Sequence, residues 1–452
     1  MDLKLLRFYK IPILIALSCI AFYWTFAYTL VREDFGRLVM LYAALSFLSY
    51  KLYQLLRHNF KYLVIIAIIF RLLFLFALPE LSQDYFRFIW DGQLINAGIN
   101  PYQFIPSEIS EELKFPNTEV LLDGMGSLSA GHYSNYPPVN QSIFAISSWL
   151  GNSSQLLTVM FLRTFIILAD LGTIFFGARL LTNLGLSKDR IFLYILNPFI
   201  IIEMTGNLHF ESVMVFFLVW SLYLLQQQRW LSSAIVLGLS VSVKLLPLLF
   251  LPLFLNFFLK NPKLSFAKLI GFYSLVILTL VFSFIPFYSE EVLANFMASV
   301  GLWFGKFEFN ASIYYLVRWI GYQVKGYNII ETAGRILPLI TIGAVLLLTF
   351  QRNHTSMQSL IKGMLLGVSV YLLLSTTVHP WYLAIPLLLS VFTSWRYMLI
   401  WSLVVILSYS AYSNADYNEN LWLVALEYIV VIGYFLYELF LQKSIKPVDR
   451  VY

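Results

Sequence analysis

The chain is cut into apolar runs of about the length that crosses a bilayer, near 20 residues each, and this limits its fold more than any other feature. The runs lie at 11–30, 37–56, 61–79, 157–181, 191–207, 211–226, 230–243, 245–259, 268–287, 335–351, 361–378, 382–394, 397–411 and 421–441. With 60% of its 452 residues hydrophobic and 12% charged, against about 25% charged in a soluble domain, the chain has more apolar surface than an aqueous core absorbs. The expected fold is all-α: a polytopic transmembrane helical protein of about 14 spans. Several runs are shorter than 17 residues, so two neighbours are candidates for half-helices or one broken helix.

The first run is too long for the apolar core of a signal peptide. No small-x-small site follows before Val31-Arg32-Glu33-Asp34, so it reads as a retained span. The single cysteine, Cys19, lies inside it and excludes an intramolecular disulfide.

Orientation follows from the basic residues. With the N-terminus in the cytoplasm, that side receives Lys4, Arg7, Lys188, Arg190, Lys260, Lys263, Arg352, Lys443, Lys446 and Arg450 among others. The opposite side holds only Arg32, Arg37, Arg87, Lys114, Lys306, Arg318, Lys325 and Arg335, although its loops are longer. Both termini are expected in the cytoplasm. The net charge of +6 is then a membrane signature and calls for no nucleic acid.

Three regions result: 1–60 with two additional N-terminal spans, 61–155 with the third span and a large outer loop, and 156–452 as the helical core with a second outer loop near 288–334. The first loop carries Glu80, Asp84, Asp91, Glu108, Glu111, Glu112, Glu119 and Asp123 against Arg87 and Lys114. On a helix over 82–95, Asp84, Arg87, Phe88 and Asp91 share one face at i, i+3, i+4 and i+7. Asn100-Pro101-Tyr102 then turns the chain, and 136–151 opens with a proline pair that starts a short helix. The bland reading is a cap of interfacial helices whose acids face water.

Polar groups at membrane depth are costly unless paired or functional. Glu203, Asn207, His209 and Glu211 lie where one span ends, Lys244 lies between two apolar runs, and His379, Trp381 and Tyr382 end another. Arg71, Arg163 and Asp170 read as structural, with Arg163 expected to pair with Asp170. Lys244 and His379 reach the side that carries the acidic loop. Cations facing an acid-bearing cavity suit a phosphate-bearing lipid, with a carboxylate left as base.

The stretch DYFRFIWDGQLINAGINPY (84–102), with YPP at 136–138, resembles the first outer loop of GT-C type glycosyltransferases. The nearest resemblance is to bacterial polyprenyl-phosphate-mannose-dependent mannosyltransferases, and a more distant one is to the GPI mannosyltransferase. NPFIIIEMTGNLHFES (197–212), KLLPLLFLP (244–252) and HPWYL (379–383) are similar to later motifs of that group. The resemblance implies an inverting transfer of a sugar, mannose, from a polyprenyl-phosphate donor to a glycan or glycolipid acceptor on the outer face of a bacterial inner membrane. It implies a catalytic base at Asp84, with Asp91 the second candidate. Lys244 and His379, with His209 behind them, are the implied phosphate contacts. Arg87, Trp90, Asn100, Tyr102 and Tyr136 complete the implied substrate-binding set.

Two features depart from the family pattern: three spans, not one, precede the loop, and no Asp-x-Asp or Asp-Glu pair is present. The expectation is therefore no metal and no other cofactor, and His354 and Cys19 give no metal pattern. A lipid-linked donor also fits a chain without a glycine-rich phosphate loop. The rivals are a transporter or flippase of a lipid-linked or anionic substrate, which would favour paired repeats, and a glycan ligase or polymerase with its main loop late in the chain.

Overall fold

The computed structural model describes residues 9–110, 115–351, 355–414 and 416–440. Lys4, Arg7, Glu111, Glu112, Lys114, Arg352, His354, Lys443, Lys446 and Arg450 lie outside the described residues. Among the described residues the protein is helical, and an isolated bridge joins Phe309 to Thr377.

Among the described residues, seven helices are long and apolar enough to cross a membrane: Lys10–Tyr28, Phe35–Leu56, Gln155–Asn183, Phe266–Phe287, Ile330–Gln351, Met357–Leu374 and Leu421–Phe440. An eighth span forms if Pro198–Gly206 and Glu211–Gln226, bent by 115° at their junction, count as one. Shorter apolar helices such as Trp230–Val241, Leu246–Lys260 and Tyr397–Ser413 fill the remaining expected positions. The fold is that of a polytopic membrane protein. Serine caps start several spans: Ser154, Ser265 and Ser356 accept from the backbone N–H groups of Leu157, Lys268 and Ser359. Most of Met357–Leu374 and half of Gln155–Asn183 is buried, so these two form the centre. Phe266–Phe287 is mostly exposed along Ile277, Leu278, Val281 and Phe282, an apolar face suited to lipid tails.

The third span ends early. Phe60–Leu72 is helical, and turns then carry the chain from Leu73 onward. The cause is polar. Arg71 pairs with Asp170 at 2.7 Å and donates to the Ile195 carbonyl at 3.0 Å. Arg163, expected to pair with Asp170, instead donates to four carbonyls: Leu75 and Ala77 beyond the helix, and Thr205 and Gly206. A guanidinium with five donors satisfies at once the backbone oxygens freed where two helices stop.

Prolines shape the short helices. Pro247 and Pro252 hold Leu246–Leu253 in a 3-10 conformation, because neither supplies an N–H to a helical ladder. Ile201–Gly206 is π-helical, a form that recurs near functional sites. Its chain reverses through Leu208, which adopts a left-handed φ of 63°.

The long first loop is built from helices Asp84–Asn96, Thr118–Ala130 and Pro138–Gly151. The region 288–334, read from sequence as a loop, also contains helices Val292–Gly305 and Ile313–Lys325. Asp84–Asn96 lies against Pro138–Gly151 at Gly92, where an added Cβ would stand 2.4 Å from the Phe144 carbonyl oxygen. Gly92→Ala is therefore expected to force these helices apart and cost about 1–3 kcal/mol, the overpacking range. A thermal melt in detergent with an unchanged midpoint would refute that.

Candidate active site

A cavity of about 860 Å³ opens at the end of the bundle that carries the first loop, within the about 300–1,000 Å³ of small-ligand sites. Its walls come from segments far apart in sequence: Asp84 and Tyr136 from the first loop, Glu211 and Lys244 from the next helices, and His379 and Trp381 from the turn after Met357–Leu374.

Asp84 is the first residue of its helix and exposes 38% of its side chain into the cavity. The surrounding walls strip much of its water. That desolvation pushes its carboxyl up to about 6; Lys244 opposes the rise and Glu211 adds to it. Nδ1 of His209 lies 3.9 Å from Asp84 Oδ2, and its Nε2 lies 3.6 Å from Glu203 Oε2. These separations are proximity, not hydrogen bonds. Glu203 is held by Tyr409 Oη at 2.6 Å and Asn207 Nδ2 at 3.2 Å. The 115° bend at 207–210 thus presents His209 to the aspartate instead of to lipid.

Lys244 follows Trp230–Val241 and pairs with buried Glu211, yet keeps 25% of its side chain exposed toward the cavity. Its Nζ also lies 5.7 Å from the centre of the Tyr382 ring. The imidazoles of His209 and His379 both stack on Trp381, at centroid distances of 3.8 and 4.4 Å. The His379 turn is pinned by the Val378 N–H donating to the Phe309 carbonyl at 2.8 Å.

The other predicted residues lie behind the wall. Asp91 is fully buried: Oδ1 accepts from Arg87 Nε at 2.7 Å, and Oδ2 from Ser134 Oγ at 2.5 Å and Gln141 Nε2 at 2.8 Å. Arg87 also donates to the carbonyls of Ser129 and His132. The pair therefore knots the first-loop helices together. Trp90 is buried against Phe115. Asn100 Nδ2 donates to the Phe287 carbonyl at 2.7 Å, and Tyr102 Oη to the Tyr136 carbonyl at 2.6 Å. That turn ties the first loop to the second. Of the predicted set the cavity brings together Asp84, Tyr136, Lys244 and His379, with His209 in contact behind Asp84.

Sequence reasoning did not find a further part of the wall, made by Arg32, Glu308, Tyr412, Tyr417 and Glu419. The available signal was topological: each lies at a helix end or loop on the side assigned to Asp84. Nothing in the linear chain joins Arg32 to Tyr417, 385 residues away.

Fold and cavity together define a polytopic helical membrane protein with a charged, partly aromatic pocket at one end of the bundle. The chain matches the family described as Alpha-(1->6)-mannopyranosyltransferase, N-terminal domain, over residues 17–260, more than half its length, and belongs to that family. The match takes in most of the first helical hairpin. The chain is also similar to Alpha-(1->6)-mannopyranosyltransferase A of Mycobacterium tuberculosis, 20% identical over 331 residues. These cover 69% of this chain and 61% of that protein, so the chain spans less than two thirds of its relative's length. The GT-C mannosyltransferase resemblance carried by residues 84–102 and 136–138 is borne out at the level of the family.

Proposed function

We propose that the protein transfers mannose from a polyprenyl-phosphate donor to an acceptor hydroxyl, with inversion, at the membrane face on which the cavity opens. That face is the non-cytoplasmic one under the basic-residue pattern of the loops. The observation that carries the proposal is the presence, in one cavity, of a partly exposed carboxylate, Asp84, and a cation, Lys244.

The chemistry follows from the two walls. Asp84 accepts the proton of the acceptor hydroxyl as that oxygen attacks the anomeric carbon. The bond between that carbon and the phosphate oxygen breaks, and polyprenyl phosphate departs with the electron pair. Lys244 meets the charge that grows on the leaving phosphate, where a fixed cation in a water-poor site contributes most. His379 lines the same wall, and Tyr136 borders the sugar position. Arg87, Asp91, Trp90, Asn100 and Tyr102 act by holding the loop that presents Asp84.

The test uses purified protein with polyprenyl-phosphate mannose and, separately, GDP-mannose. Transfer is expected from the lipid donor only. Lys244→Met should lower kcat/KM for that donor by about tenfold or more, the loss of one charge-assisted contact to the leaving phosphate. Transfer from GDP-mannose, or from neither donor, would overturn the proposal.

A further inference from the structure

We propose that Arg32, Tyr412, Tyr417 and Glu419, with Glu308 beside them, form a subsite for the carbohydrate acceptor, resting on the mannosyl-transfer reading above. All five line the cavity that contains Asp84. None of them has a part in the donor chemistry.

Charge decides which substrate this wall faces. The acids Glu308 and Glu419 are offset by Arg318, which pairs with Glu308, and by Arg32, so the wall carries little net charge and suits a neutral polyhydroxyl chain better than an anionic donor. Both carboxylates are fixed from behind. Glu419 Oε1 accepts from the Asn310 backbone N–H at 2.6 Å and Oε2 accepts from Tyr315 Oη. Glu308 pairs with Arg318 and accepts from Tyr314 Oη at 2.6 Å. A carboxylate oxygen has two lone pairs, so each keeps acceptor capacity for a sugar hydroxyl.

Arg32 lies 5.1 Å from the centre of the Tyr412 ring and 5.7 Å from that of Tyr417, and donates to Tyr417 Oη at 3.2 Å. Its planar fork retains further donors, and the tyrosine rings offer flat faces for the apolar side of a sugar. Tyr417 holds a left-handed φ of 53°, a strained conformation for tyrosine that recurs at ligand clamps. Tyr412 is close enough to Asp84, Arg32 and Glu419 to feel the charge of all three. The wall and the proposed base therefore share one cavity. Such a wall holds the sugars that flank the attacking hydroxyl. It also gives the first hairpin a task, because Arg32 sits in the link between Lys10–Tyr28 and Phe35–Leu56.

The experiment is calorimetric binding of α-(1→6)-linked mannotriose to the full protein in detergent, beside the transfer assay. Wild type and Asp84→Asn are expected to bind comparably. Arg32→Ala and Glu419→Gln are expected to bind at least about tenfold more weakly, the loss of a charge-assisted hydrogen bond. Tyr417→Phe, which removes only the hydroxyl that receives Arg32, guards against misfolding and is expected to weaken binding less. Equal binding by wild type and all three variants would overturn the subsite, as would no trisaccharide binding by a wild type that still transfers mannose. Binding intact in a wild type that transfers nothing would instead overturn the mannosyl-transfer reading and leave the subsite standing.

Discussion

Asp84→Asn is expected to lower transfer from polyprenyl-phosphate mannose by about 10²–10⁴-fold, the contribution of a positioned general base. Asparagine keeps the shape of the side chain but cannot take the proton. The protein should elute from detergent as the wild type does, since Asp84 is partly exposed and makes no close ion pair. The wild-type pH profile carries a second expectation. Burial pushes the Asp84 carboxyl up to about 6, and only its deprotonated form accepts a proton. The sign follows: kcat/KM falls as pH drops through about 6 and levels off above it. Unchanged turnover in Asp84→Asn would remove the base from this residue. A profile flat across that pH would show that its ionisation does not limit the reaction.

Asp84 and Asp91 show what the linear chain carries and what it hides. Their spacing of seven residues puts both on one helix face, and the Asp84–Asn96 helix confirms that geometry. One face is nevertheless not one environment. Asp84 stands at the helix start and opens to the cavity, whereas Asp91, two turns on, packs under Ser134 and Gln141. Sequence periodicity reports angle about an axis. It does not report depth, which depends on loop 129–134 folding back over the helix.

The same limit applies to the membrane-depth charges. The cost of an ionisable group among apolar neighbours is legible in the chain, and it marks Arg71, Arg163 and Asp170 as paired, structural residues. Which arginine takes Asp170 is not legible: Arg71, from another helix, does so, while Arg163 spends its donors on carbonyls where two helices stop. The break after 207 is visible as two short apolar runs. The cavity wall that holds Arg32 and Tyr417 is not, since these two meet through helix packing alone. Family membership rests on the N-terminal part of the chain, so the cavity residues beyond 260 are known from the structure only.

Arg87→Leu is expected to be the most destabilising single change in the first loop, and it separates a structural aspartate from a catalytic one. The substitution leaves the Asp91 carboxylate fully buried, with Ser134 and Gln141 but no cation. Breaking a buried pair by removing one partner costs about 3–5 kcal/mol, because the remaining charge is uncompensated. The Ser129 and His132 carbonyls lose their donor as well. The measurement is the thermal midpoint in detergent, with limited proteolysis to locate the loosened segment within the first loop. Removing both charges, as Arg87→Leu with Asp91→Leu, should recover much of the loss, since no buried charge then remains. Asp91→Asn should be milder than Arg87→Leu, because the amide can still accept hydrogen bonds while Arg87 keeps its two carbonyl partners. Should Asp91→Asn abolish transfer with the midpoint unchanged, Asp91 would have to reach substrate, and the wall that covers it here would have to open during turnover.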